Sequence, residues 1–134
     1  MVTQKVVLDT NIFISALGWN GKPKEIFLAC VRGEYELVTS SAQIEELQRV
    51  LDYPKFSFSQ EQKQIFMAII LEIATFVEIL GNITIIKDDP DDDVILETAL
   101  VGNASYIITG DPHLLNLKEF GCIKIVTAHD FLEK

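Results

Sequence analysis

Ser105-Tyr-Ile-Ile-Thr-Gly-Asp-Pro-His-Leu-Leu115 runs from an apolar, β-branched segment through Thr-Gly-Asp into a proline-led helical pattern. Ser105 to Thr109 has the composition of a buried strand, and Pro112 suits the first position of a helix. Asp111 lies at the hinge between them. It is placed either to cap the helix or to point into whatever cleft the strand end borders. The same grammar opens the chain: Lys5-Val-Val-Leu-Asp9 carries an apolar run directly into a carboxylate, followed by Thr10 and Asn11, either of which can cap the helix expected over 11–17 and leave Asp9 free.

Working outward, strands are expected over 35–38, 83–86 and 123–126, besides 5–9 and 105–109. Helical patterns fall between them. One covers 24–32, and one runs to about Leu51 from a capping box of Ser40 and Gln43. A long one covers 61–80 behind a second box of Ser59 and Gln62, one leads from the aspartate cluster to about Asn103, and short helices start near Asp111 and Thr127. Short strands separated by helical crossovers imply a parallel sheet with helices on both faces, a three-layer α/β/α arrangement. The helix over 61–80 is apolar around most of its circumference, which gives it more than one face to bury, in the core or at an interface.

The 134 residues fit one domain, 1–134, and the 49% apolar and 23% charged composition is that of a compact fold with no low-complexity tract. No signal peptide or membrane span is visible, because the longest apolar stretch is broken by Glu72 and Glu78. Cys30 and Cys122 are far apart, in apolar surroundings and without Cys-x-x-Cys spacing, so both are expected to be reduced core residues of a cytoplasmic protein. A net charge of −9 argues against a protein that grips nucleic acid with a broad basic surface.

The acids themselves are more informative. Glu45 and Glu46 follow one another on a helix with the stripe Ile44, Leu47, Val50 and Leu51; at 100° per residue Glu45 falls opposite that stripe and Glu46 flanks it. Further on, Asp88, Asp89, Asp91, Asp92 and Asp93 crowd around Pro90. Helix capping and the dipole of a first turn can account for the first four. Asp93 lies deeper, with Leu96 and Leu100 on its face, and an inward carboxylate there needs a cation or hydrogen-bond donors. Glu97 is expected to face solvent. Four acids from four segments at the loop end of a parallel sheet would repel one another unless a hard divalent cation sat among them. Oxygen ligands favour Mg²⁺ or Mn²⁺, and such ions suit phosphodiester hydrolysis.

Val7-Leu-Asp-Thr-Asn-Ile-Phe13, Ser40 to Leu51 with Glu46, Asp89-Pro-Asp-Asp-Asp93 followed by Ala99, and Ile108-Thr-Gly-Asp-Pro-His-Leu-Leu115 resemble, in order and spacing, the motifs of PIN-domain ribonucleases. The resemblance implies a sheet of about five parallel strands and Mg²⁺- or Mn²⁺-dependent endonucleolytic cleavage of RNA that leaves 5′-phosphate and 3′-hydroxyl ends. Asp9, Glu46, Asp93 and Asp111 match the catalytic and metal-binding acids, Asp93 by its eighteen-residue distance to Asp111, and Asn11 and Thr109 match the supporting polar positions. His113 stands where such proteins often carry a further acid. Single-domain members look like toxins of toxin-antitoxin pairs, which implies a homodimer and a cognate antitoxin as partners besides the RNA substrate. Lys22, Lys24, Arg32 or Arg49 would supply local positive potential.

The rival reading is a catalytically inactive PIN-like module for protein interaction, its acids serving only as caps. A phosphatase with Asp9 as nucleophile would want a second acid where Asn11 stands, and a receiver-type domain would want paired acids near the first strand.

Overall fold

The computed structural model describes residues 3–81 and 90–133. Its elements follow in the order β1 (Lys5–Leu8), α1 (Thr10–Gly18), α2 (Lys22–Val31), β2 (Glu36–Ser40), α3 (Ser41–Leu51), a 3₁₀ turn (Pro54–Phe56), α4 (Gln60–Ile73), β3 (Thr75–Val77), α5 (Pro90–Val101), β4 (Tyr106–Ile108), α6 (Pro112–Leu115), β5 (Glu119–Phe120), β6 (Ile123–Val126) and α7 (Ala128–Glu133). The sheet order is β3-β2-β1-β4-β6-β5, with every pair parallel except β5 and β6. The chain leaves β1 toward β2 on one side and returns to β4 on the other. The point where the winding reverses therefore lies between β1 and β4, and a crevice opens there at the strands' carboxyl ends.

Side chains alternate between the two faces of the strands. Val6, Leu8, Leu37 and Ile108 join a core with α1, α2, α3, α4 and α7, whereas Val7, Val38, Ile107 and Ile125 join a second core with α5 and Leu114 of α6. Two apolar layers back one sheet, which is the expected α/β/α arrangement. At the end of α5 the helix comes so close to β2 that a Cβ built on Gly102 would meet Val38 Cγ1 at 2.5 Å, so only glycine fits without a shift.

Several sequence expectations change. The helix expected over 61–80 stops at Ile73, and Thr75, Phe76 and Val77 pair with Val38, Thr39 and Ser40 instead. β-branched and aromatic residues next to an unpaired strand edge gain more from the ladder than from another turn of helix, and hydrophobic periodicity alone cannot anticipate that edge. The strand expected over 83–86 lies outside the described residues. The antiparallel β5 was not foreseen; it turns into β6 at Gly121, whose φ of 61° is left-handed. Ser59 and Gln62 form the expected reciprocal capping box. Ser40 accepts from the Gln43 N–H, but the Gln43 amide turns away, donating to the Leu8 carbonyl and accepting from the Thr39 hydroxyl, so it ties α3 to β1 and β2. Cys30 is buried, and burial and then Glu34 push its thiol up to about 12, whereas Cys122 is exposed rather than in the core.

Candidate active site

At the winding reversal, Leu8 pairs with Ile108, which sets Asp9 beside Thr109 at the strand ends. The Asp9 backbone N–H extends the ladder to the Ile108 carbonyl at 3.0 Å. Its carboxylate is held from two sides: Oδ1 accepts the Thr10 N–H at 2.7 Å and Oδ2 accepts the Thr109 hydroxyl at 2.6 Å. Asp9 is thus itself the cap of α1, although Thr10 and Asn11 were also available for that task. Thr109 is fully buried, and its Oγ1 also accepts the Asp111 N–H at 3.0 Å. Asp111 in turn caps α6 through the His113 N–H at 2.8 Å. One threonine therefore sets the spacing of two aspartates, while Asn11 borders the same space from the first turn of α1.

The opposite wall comes from helix faces. Glu46, on the second turn of α3, accepts the Thr10 hydroxyl at 3.2 Å. Burial, followed by the negative charge of Asp91, raises its carboxyl to about 7, against the lowering pull of the Thr10 hydrogen bond and Arg49. From α5, Asp91 and Asp92 line the cleft. Asp92 is 3% exposed and stands in the stripe of Ile95, Leu96 and Ala99, each at 0 or 1%. Asp93 does not line the cleft. At 8% exposure it lies a helical step away, on the face shared with Glu97. From α5 the cleft is thus bordered by Asp91 and Asp92, and the expected Asp93 is not among its lining residues. The stripe at i+3, i+4 and i+7 from Asp92 was the signal, since Asp93 has Glu97 and the exposed Leu100 at two of those places. Glu97, expected in solvent, is buried and accepts the backbone N–H groups of Leu80 and Gly81 at 2.7 and 3.2 Å.

Together Asp9, Thr10, Asn11, Glu46, Asp91, Asp92 and Asp111 border a cleft of about 180 Å³ that also touches Val50, Tyr53, Lys55, Phe56 and Ile95. Asp92, Asp111 and His113 each offer a ligand atom within 4.8 Å of the others. A carboxylate-rich set with one imidazole has the donor chemistry to hold a divalent cation. His113, read from the sequence as a lost acidic ligand, is thus a nitrogen donor at the same place. Of the expected basic residues, Arg49 lies 4.0 Å from Asp91, Arg32 pairs with Glu34 at 2.5 Å, and Lys22 meets His129 and Glu133 of α7. The lysine on the cleft is Lys55, which no periodic pattern marked.

The PIN domain family model matches residues 5–113. No curated protein matches the sequence. Among solved structures, a chain of VapBC2 from Rickettsia felis, crystallised bound to a DNA fragment from its promoter, superposes with a TM-score of 0.57 over 91% of this chain and 97% of that one, at 18% identity. That likeness speaks to the fold. No helix among the described residues is long and apolar enough to cross a membrane.

Proposed function

The chain belongs to the PIN-domain family, and from that premise we propose that it is a divalent-metal-dependent endoribonuclease acting as the toxin of a toxin-antitoxin pair. One observation carries the reading: Asp9, Glu46, Asp92 and Asp111 come from four separate segments and border one cleft. Asp9 and Asp111 also cap helices, but Glu46 and Asp92 lie inside α3 and α5, so capping alone does not account for the set. The residues that would hold the ion are these four and His113, with the Asp92, Asp111 and His113 donors close enough to share it. When bound, the ion lowers the pKa of a water and offsets the charge of the phosphate.

The chain's own part is positioning and proton control. Thr109 and the Thr10 N–H fix both oxygens of Asp9, so its orientation is set before a substrate arrives. Burial raises the Glu46 carboxyl to about 7, so it would give up its proton on binding a cation near neutral pH, and the Thr10 hydroxyl donates to its Oε1. Asn11, exposed at the rim, is a hydrogen-bond donor for a phosphate oxygen.

Antitoxin and homodimer partners, and a place in the cytoplasm, belong to the same proposal. The apolar groove of Leu17, Phe27, Leu28, Ile65 and Ile69 between α1, α2 and α4 supports a protein partner. The test is cleavage of mixed RNA substrates with Mn²⁺ beside the Asp9→Asn chain, together with calorimetric Mn²⁺ titration. Mn²⁺-dependent cleavage lost in the variant supports the reading. Equal cleavage by both chains overturns it, and absence of both cleavage and metal binding favours an inactive interaction module.

A further inference from the structure

The segment between α3 and α4 carries a run of rings whose arrangement exceeds what packing requires. Tyr53 and Phe56 are parallel to within 3° with centroids 6.5 Å apart, and Phe56 and Phe58 are parallel to within 13° at 5.7 Å. Trp19, just past α1, stands edge-on to Phe56 and Phe58 at 6.5 and 6.4 Å. Lys55 Nζ lies 5.1 Å from the centre of the Phe56 ring. These residues divide into two groups. Phe56 and Phe58 pack on the core, and Phe58 sits where Gly18 leaves room, 3.0 Å from the place a Cβ would occupy. Tyr53 and Trp19 pack against these rings yet remain 43% and 56% exposed, so each keeps a large part of its aromatic surface open to solvent. Tyr53, Lys55 and Phe56 also line the acidic cleft itself, so the rings continue the surface on which the carboxylates stand.

We propose that Tyr53 and Trp19 are a stacking platform for unpaired bases of single-stranded RNA, the strand's phosphate being led past Lys55 into the acidic cleft. The inference rests on the nuclease reading and assigns the residues that receive the bases of its substrate. A chain of net charge −9 cannot hold a polyanion by counterion release alone, so a term independent of charge is needed. Base stacking on an exposed ring is such a term. It selects single strands, because in a duplex the base faces are already covered.

Trp19 is the only tryptophan, so its fluorescence reports on the platform directly. The full-length Asp9→Asn chain, in Mn²⁺, is titrated with a short single-stranded oligouridylate and with the same strand in a duplex. The expected result is quenching by the single strand with weak salt dependence, little by the duplex, and a loss of affinity of about tenfold in Tyr53→Ala. Tyr53→Phe restores binding and Tyr53→Leu, which keeps apolar bulk without a flat face, does not. Equal binding of single strand and duplex, or rescue by leucine, overturns the platform. The nuclease reading fails separately: quenching that follows this pattern in a chain whose wild type never cleaves leaves the platform standing alone. Cleavage by the wild type with an unchanged KM in Tyr53→Ala removes the platform and leaves the nuclease.

Discussion

The two walls of the cleft are made by different means. On the strand side, Asp9 and Asp111 are set by sheet register and by one buried threonine, through hydrogen bonds made in the turns that follow β1 and β4. On the helix side, Glu46 and Asp92 are aimed by how α3 and α5 are rotated about their own axes, with the Thr10 hydroxyl as a link between the walls. The strand wall is fixed by ladder pairing and hydrogen bonds; the helix wall is a product of how helices pack. The Asp9 carboxylate is oriented by a hydrogen bond to each of its oxygens, whereas Asp92 takes its direction from the helix, where one position turns a side chain by 100°.

Four measurements would break or sharpen that contrast. The largest effect is expected for Asp9→Asn, which keeps a capping side chain while removing the charge: cleavage with Mn²⁺ should fall on the order of 10²-fold or more with little change in Tm. Next comes the pair Asp92→Asn and Asp93→Asn. If the rotation of α5 decides, the first should weaken Mn²⁺ binding by about 10- to 100-fold and the second by no more than a few-fold, as read by calorimetry. The reverse order would show that the helix wall had been placed wrongly.

A smaller effect is expected at the hinge of the strand wall. Thr109→Val removes the 2.6 Å bond to Asp9 and the acceptor for Asp111, and should cost about tenfold in metal affinity, with Thr109→Ser recovering most of it. An unchanged affinity would mean that register alone holds both aspartates.

The smallest effect concerns Glu46 and pH. Its folded carboxyl, at about 7, lies above the unfolded value of 4.5, so between these limits the unfolded chain loses a proton that the folded chain keeps. Without divalent cation, stability should therefore be greatest below the lower limit and decline as pH rises through the upper one. Partial exposure screens the shift, so melting curves should move by no more than about a few degrees. Mn²⁺ should flatten the decline by holding the carboxylate ionised, and Glu46→Gln should abolish this component. A decline that survives both changes would belong to other groups.

The contrast also sorts what could be read in advance. The strand-to-carboxylate joints at Asp9 and Asp111 follow from apolar runs that end in an acid before a helix signal, and the inward set of Glu46 follows from its place beside the stripe of α3. The eighteen-residue distance to Asp111 points to Asp93, but three consecutive aspartates differ in that distance by only one or two residues, and what separates them is which apolar neighbours are buried most completely. The end of α4 at Ile73 depended on an open edge of β2, and Tyr53, Lys55 and Phe56 reach the cleft only because the turn after α3 folds back toward α1.

Residue order alone determined the alternation of strands and helices, the parallel sheet between two helix layers and the strand-end acids, because these depend on hydrophobic period and short β-to-α joints. Tertiary structure decided which aspartates of α5 border the cleft, that His113 stands beside it and that an aromatic step adjoins it. Those outcomes rest on helix rotation and on contacts between distant segments, which a linear pattern of residue types does not contain.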